Sequence, residues 1–326
     1  MATYTRFSPD DIVITTERVF TNTFSANTLS SYINDGPILD TPSSSGQYFE
    51  QARDGSSVNM YTVAYGHYAG SGSAPITTDD VGFSPSRAVY SQYRSLVYGD
   101  ETRNFTFNGY EPQDIFVINV NRSRYKQSLR LGSLQMTLNG GRNLTDDSVT
   151  RSGSAVLTNI GRQYNIVSGS AGVMSGSLLS IGSSGSLGLM YPDAGIIVLN
   201  PDALYENSFV SALPTRNSSA AVDTNRALLT TQLHSGEFGL DSEEKISSQY
   251  YFVRAKNKDF NYTTNPSFID DKGNINLTSM VDNPTTYITT VGLYNDANEL
   301  LAVAKLSQPL TKDFTKEALI KVKLDY

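Results

Sequence analysis

The run Asp114-Ile115-Phe116-Val117-Ile118-Asn119-Val120 is apolar at consecutive positions through its centre. Consecutive side chains of a strand point to opposite faces, so a strand of this pattern must be covered on both sides. Most of the chain supports the same architecture. Ser133-Leu134-Gln135-Met136-Thr137-Leu138 alternates with period two, and Asn139-Gly140-Gly141 after it tolerates positive φ, which predicts a strand ending in a tight turn. Gly195-Ile196-Ile197-Val198-Leu199 lies between Tyr191-Pro192-Asp193 and Asn200-Pro201-Asp202, two turn signals that bound a short core strand. Near the end, Tyr287–Tyr294 and Glu299–Leu306 are β-prone runs joined by Asn295-Asp296-Ala297-Asn298, a normal hairpin length.

Helical signals are fewer. Ser84 as cap and Pro85 at an early helical position open a segment in which Val89, Tyr93, Leu96 and Val97 recur at helical spacing, and Gly99 ends it. Asp223 to Leu233 carries Ala227, Leu228, Leu229 and Leu233 on one face, with Asp223 or Thr224 as cap. Ser208 to Leu213 predicts a single turn before Pro214. The expected class is therefore α+β and β-dominated: a β-sandwich-like body with a few short helices and a C-terminal β module.

At 326 residues the chain exceeds one ordinary core and predicts more than one unit. The expected division is 1–57 as an N-terminal arm and loops, 58–240 as a β-rich main domain with inserted helices, and 241–326 as the C-terminal β module. The acidic stretch 235–247, with Glu237, Asp241, Glu243 and Glu244, marks the second boundary. The Ser/Gly-rich stretch 168–188 resembles a linker in composition, but apolar residues interrupt it at Val173, Leu178, Leu179, Ile181 and Leu187, which predicts glycine-containing strands and turns.

Composition removes several kinds of chemistry. There is no cysteine, so thiolate metal sites, disulfides and cysteine nucleophiles are excluded. Net charge is -7, from 25 Lys plus Arg against 32 Asp plus Glu, which disfavours binding to nucleic acid. The two histidines, His67 and His234, sit in no Gly-x-Ser-x-Gly context; His67 is expected to be hydrogen-bonded at a sheet and His234 to lie at a helix C-terminus. No Gly-Lys dipeptide exists for a phosphate loop. The acidic doublets Asp10-Asp11, Asp79-Asp80, Asp146-Asp147 and Asp270-Asp271 lack the ligand spacing of a calcium loop, and Asp270-Asp271-Lys272-Gly273-Asn274 predicts a β-turn. Neither a secretory leader nor a membrane-spanning run is expected. No cofactor is expected, and no catalytic residue is singled out.

Aromatic usage points to assembly. Twenty tyrosines and no tryptophan provide rings that can be buried while a hydroxyl stays wet, which suits subunit interfaces. Tyr61, Tyr65, Tyr90, Tyr93 and Tyr98 cluster in one stretch, in which a tyrosine-rich core is an equally good expectation. Arg122 and Arg124 form the one basic patch, suited to an acidic partner surface. Tyr250, Tyr251 and Tyr294 complete the expected interface set.

The C-terminal run from Tyr250-Tyr251-Phe252-Val253-Arg254-Ala255 through Phe260-Asn261-Tyr262 to Tyr287–Asp296, Glu299–Ser307 and Lys321–Tyr326 resembles a virion structural protein of large tailed bacteriophages, especially contractile-tailed, T4-like marine ones. Tyr61-Thr62-Val63-Ala64-Tyr65-Gly66-His67, Ser91–Leu96 and Tyr191–Gly195 extend the resemblance over most of 58–326. It implies a non-enzymatic subunit of the tail baseplate, of wedge type, in contact with other virion proteins and with copies of itself in a symmetric ring. Such a protein is made in the bacterial host cytoplasm and resides in the virion, without a nucleic-acid or membrane partner. A neck connector, a capsid decoration protein and a receptor-binding adhesin are the alternatives, with a particle-borne glycan hydrolase the least favoured.

Overall fold

The computed structural model describes residues 5–24, 48–53, 58–70, 85–138, 142–150, 155–175, 184–213, 216, 221–261 and 265–326. In chain order the elements are β1 (Ile12–Phe24), β2 (Glu50–Arg53), β3 (Asn59–His67), α1 (Ser86–Tyr98), β4 (Asp114–Val120), β5 (Ser128–Leu129), β6 (Gln135–Leu138), β7 (Arg142–Asp146), β8 (Val156–Thr158), β9 (Gly161–Ser170) and β10 (Val173–Met174). Then come β11 (Gly188–Tyr191), β12 (Ile196–Leu199), α2 (Pro201–Glu206), α3 (Ala221–Ser235), β13 (Phe238–Ala255), β14 (Thr286–Tyr294), β15 (Leu300–Lys312) and β16 (Ala318–Asp325). The protein is β-dominated, with a large curled sheet, few short helices and a C-terminal strand module.

The chain divides into two compact units, 18–244 and 1–17 with 245–326. The structure differs from expectation in the N-terminal stretch. Part of the stretch 1–57, expected to be an arm and loops, forms β1 and β2, while 25–47 and 54–57 lie outside the described residues. The acidic stretch 235–247 does contain the division between the units, between Glu244 and Lys245, but strand rather than loop carries the chain across it, since β13 starts at Phe238 and continues to Ala255. An extended strand holds the neighbouring Glu243 and Glu244 on opposite faces, so the acidic run is compatible with sheet.

Within unit 18–244 the strand order is β1-β13-β6-β7-β9-β11-β12-β4-β3-β2, and the ladders from β6 to β2 are antiparallel. β4 lies between β12 and β3, and its alternate side chains feed two cores. Phe116, Ile118 and Val120 join Tyr61, Val63 and Tyr65 of β3, Ile197 and Leu199 of β12, and Leu229 and Leu233 of α3. Ile115 and Val117 join Val198 of β12 and Val89, Tyr90, Tyr93 and Val97 of α1. The double-sided apolar pattern is thus met by helices on both faces of one sheet.

α1 comes very close to the sheet. A Cβ at Gly66 of β3 would fall 2.8 Å from the backbone nitrogen of Tyr90, so glycine is what lets the helix lie down on the strand. The Tyr90 hydroxyl then accepts the Phe105 N–H at 3.0 Å, which supplies the buried ring with a polar partner. The helix stops at Gly99, as anticipated, but its N-cap is Pro85, and Ser84 lies outside the described residues. Further along, the expected turn at 208–213 is displaced. The helix is α2, opened by Asn200, whose side chain accepts from the N–H groups of Asp202 and Ala203, with Pro201 in the first turn. The same Asn-Pro-Asp signal serves a turn or a helix start, and the buried Ala203 and Leu204 decide for the helix.

The other unit packs one face of the β14–β15 hairpin against β13 and β16 through Val291, Leu293 and Val322, with Tyr251, Ala302, Ala304, Leu306 and Ile320 around them. β16 pairs with β13 from Ser248↔Asp325 to Ala255↔Ala318, so the carboxyl-terminal run is a docked strand. At the hairpin base Lys312 is fully buried, and its ammonium donates to Asn257 O, Asn261 Oδ1 and Asp313 O at 2.7–2.9 Å. Three acceptors match its three protons.

The Gly66 approach generates a prediction. Gly66→Val forces α1 off the sheet and lowers stability by about 2 kcal/mol, the typical cost of overpacking; chemical denaturation read by tyrosine fluorescence measures it, and an unchanged midpoint would refute the close approach.

Candidate functional site

The densest convergence of ionisable groups sits at one end of β3 and β4, inside unit 18–244. Antiparallel register places His67, the last residue of β3, opposite Asp114, the first of β4. Asp114 is completely buried, as is Tyr65 one turn of the pleat away. The Tyr65 hydroxyl donates to Asp114 Oδ2 at 2.9 Å and lies 3.1 Å from the Arg216 carbonyl oxygen. The buried Asn225 of α3 also hydrogen-bonds this hydroxyl.

Arg216 joins two carboxylates. Its Nη1 lies 3.3 Å from Asp114 Oδ1 and its Nη2 2.5 Å from Asp202 Oδ1, while the Tyr110 hydroxyl donates to Asp202 Oδ2 at 2.9 Å. Asp202 is in the first turn of α2, where a negative charge is favoured. One arginine therefore ties the start of a central strand to the start of a helix. Burial pushes the Asp114 carboxyl up from 3.8 to about 6, against the lowering effects of Arg216 and the Tyr65 hydrogen bond. His67 is buried too, and its Nδ1 accepts the Ala69 N–H at 3.1 Å. Burial first, and the Arg216 charge second, hold its imidazole below the ordinary value.

Chemically this is a charge-paired lock. Each carboxylate faces a guanidinium or a phenol, and the Nδ1 of His67 is engaged by backbone in place of a nucleophile. In the other described doublets, hydrogen bonds hold Asp11, Asp146, Asp147 and Asp270. Asp147 accepts the backbone and side-chain amides of Asn165, Asp146 accepts Gly132 N–H and Ser148 N–H, and Asp270 accepts from Lys272 and Asn274 in the anticipated turn. Asp79-Asp80 lies outside the described residues. Among the described residues no group of three or more His, Asp or Glu could hold a metal ion.

The expected interface residues divide. Tyr61, Tyr65, Tyr90 and Tyr93 are buried in the two cores, so the interface expectation is corrected for these four: their rings are needed between sheet and helices, and Tyr65 and Tyr90 find hydroxyl partners inside. Tyr98 is half-buried against Phe105, with Arg103 over its ring. Arg122 donates to the carbonyls of Tyr125 and Lys126 and covers the Tyr125 ring at 4.5 Å, and Arg124 donates to the carbonyls of Val58 and Asn59. Arg122 braces its own loop, and Arg124 ties that loop to the start of β3. His234 falls in the last turn of α3, as expected.

In the other unit the tyrosines stay accessible. Tyr250 is half-buried, with the Lys321 ammonium 4.0 Å from its ring centre; Tyr251 lies against Phe7 and donates to Gln249. Tyr294 is 43% exposed. Its neighbours are residues that sequence reasoning did not single out: Leu300 at 52%, Leu301 at 68% and Val303 at 58% exposure. A Cβ on Gly292 would meet the Tyr294 ring at 2.9 Å and Leu300 at 3.3 Å, so these side chains fold over the glycine on the outer face of the hairpin. The available signal was Leu300-Leu301-Ala302-Val303-Ala304, apolar on both faces like β4.

Comparison with family models, curated proteins and solved structures returns no match.

The lock predicts an inverted pH dependence. Because the folded-state value of Asp114 is raised, its contribution is fully present below the unfolded value of 3.8 and is lost as pH rises through about 6. Relative to Asp114→Asn, the wild type loses about 2 kcal/mol of stability between pH 4 and pH 7, most of the equivalent of the shift from 3.8 to about 6. Urea unfolding of both proteins across that range measures the difference, and parallel curves would refute the buried carboxylate as its source.

Proposed function

We propose that this chain is a structural subunit of a tailed-phage virion, assembling into the tail baseplate by docking its C-terminal strand module onto other virion proteins and copies of itself. The observation that carries the reading is the outer face of the β14–β15 hairpin. Tyr294, Leu300, Leu301 and Val303 are large, apolar and exposed, on a strand pair whose inner face already supplies the core of its unit. Contiguous apolar surface of this kind marks a contact surface, and aromatic residues are enriched there. The resemblance of 250–326 to virion structural proteins supplies the kind of partner. In this reading the chain works by presenting fixed surfaces, and the buried Asp114–Arg216–Asp202 lock serves rigidity.

Symmetric rings suit such a part, since a subunit that repeats around an axis needs a stiff body and a surface that is covered in the assembly. No helix of the described residues is long and apolar enough to cross a membrane.

Immuno-gold labelling of purified particles with antibody to 250–326 tests the proposal. Label at the distal end of the tail is expected. Label at the neck or over the capsid would overturn the baseplate assignment, and unlabelled particles that also lack the chain by mass spectrometry would overturn the virion role.

A further inference from the structure

The unit made of 1–17 and 245–326 has an open-sided core. A groove of about 270 Å³ lies between β15 and β16, lined by Val291, Ala304, Leu306, Ile320 and Val322. All five belong to, or pack against, the apolar cluster that holds the unit together. Val291, Leu293 and Val322 are buried in that cluster, and Ala304, Leu306 and Ile320 are left partly open. Two strand edges frame the opening. Among the described residues β15 bonds only to β14, and β16 only to β13. Each therefore turns a row of backbone N–H and C=O groups away from its partner.

We propose that this groove receives an extended segment of another polypeptide, added as a strand to the open edge and alternating apolar with acidic residues. The alternation follows from the two sides of β16. Ile320 and Val322 face the cluster, whereas Lys321 and Lys323 face the other way, toward Tyr250. A strand laid beside β16 inherits the same alternation, with apolar side chains completing the core and the intervening ones beside lysine. On the opposite rim Lys305 is exposed between the inward-facing Ala304 and Leu306.

Charge selects the sign. Four carboxylates of this unit are engaged elsewhere: Asp11 with Arg254, Asp296 with Arg6, Asp313 with Lys316, and Asp325 with Lys323. Among the described residues, neither Lys305 nor Lys321 has a carboxylate within ion-pair distance. Lysines along an edge repel a like strand and admit one carrying glutamate or aspartate at the facing positions. The lining residues 304–308 span about five residues of strand, or roughly 17 Å, which sets the length of the segment. Strand addition of this type draws affinity from main-chain hydrogen bonds and specificity from alternate side chains. The inference rests on the assembly reading, for which it names the chemistry of one partner segment.

The test uses the full chain and two fluorescein-labelled octapeptides, one alternating valine with glutamate and one alternating valine with lysine. Anisotropy titration is expected to show at least tenfold tighter binding of the glutamate peptide, with slowed amide exchange in 304–308 or 320–322. Lys305→Glu with Lys321→Glu, both at exposed positions, reverses the preference while circular dichroism stays unchanged. N-methylation of alternate peptide nitrogens abolishes binding. Failure of both peptides to bind, or binding indifferent to peptide charge and to N-methylation, overturns the proposal. A concentration-dependent dimer in sedimentation that is dissolved by the lysine reversals would assign the groove to a second copy and also overturn it. Particle labelling reads the virion role independently: labelled tails with no peptide binding reject the groove alone, and peptide binding with unlabelled particles rejects the virion role alone.

Discussion

Burial of both faces of β4 is the constraint on which the larger unit depends. Ile115 and Val117 require cover on one side and Phe116, Ile118 and Val120 on the other, so a sheet with one wet face would leave several large side chains in water. The fold meets this with α1 on one face and α2 and α3 on the other, while the flanking β3 and β12 repeat the apolar pattern. Gly66 belongs to the same solution, because the helix reaches its packing distance only where the strand lacks a side chain.

A doubly covered strand carries a liability at its ends, where polar residues begin while burial persists. Asp114 is such a residue, and Arg216, Asp202, Tyr65 and Tyr110 are the groups that make its burial tolerable. Buried ion pairs of this kind are weak sources of net stability, but breaking one partner is costly, so the arrangement favours a single geometry. The tyrosines follow the same logic. Tyr65 and Tyr90 give their rings to the cores and their hydroxyls to an internal carboxylate and a backbone amide. That use of tyrosine leaves few of those in the larger unit for a surface.

The smaller unit is built differently. Its core is thin, its hairpin is apolar on the outer face, and its strand edges are open beside lysines. A long strand pair with this exposure is a hazard in a free monomer unless charged residues guard it. In the proposed assembly the same features would become contact surface, with the larger unit as the stiff scaffold.

Reading residues in order located β4, β12, the C-terminal hairpin and α1, because each is announced by local periodicity and by turn residues at its ends. Sequence alone therefore determined the β-dominated class, the excluded thiol and phosphate-loop chemistry, and the turn at Asp270. Tertiary structure alone decided which apolar runs are buried. Phe116-Val117-Ile118 and Leu301-Ala302-Val303 are equally apolar on paper, yet the first lies between two layers and the second has one face in water. It also decided that Arg216 meets Asp114 across 102 positions of sequence, a pairing no local pattern announces. The physical reason is the same in both cases: periodicity is a property of neighbours in the chain, whereas cover and charge pairing come from segments that only the folded sheet brings together.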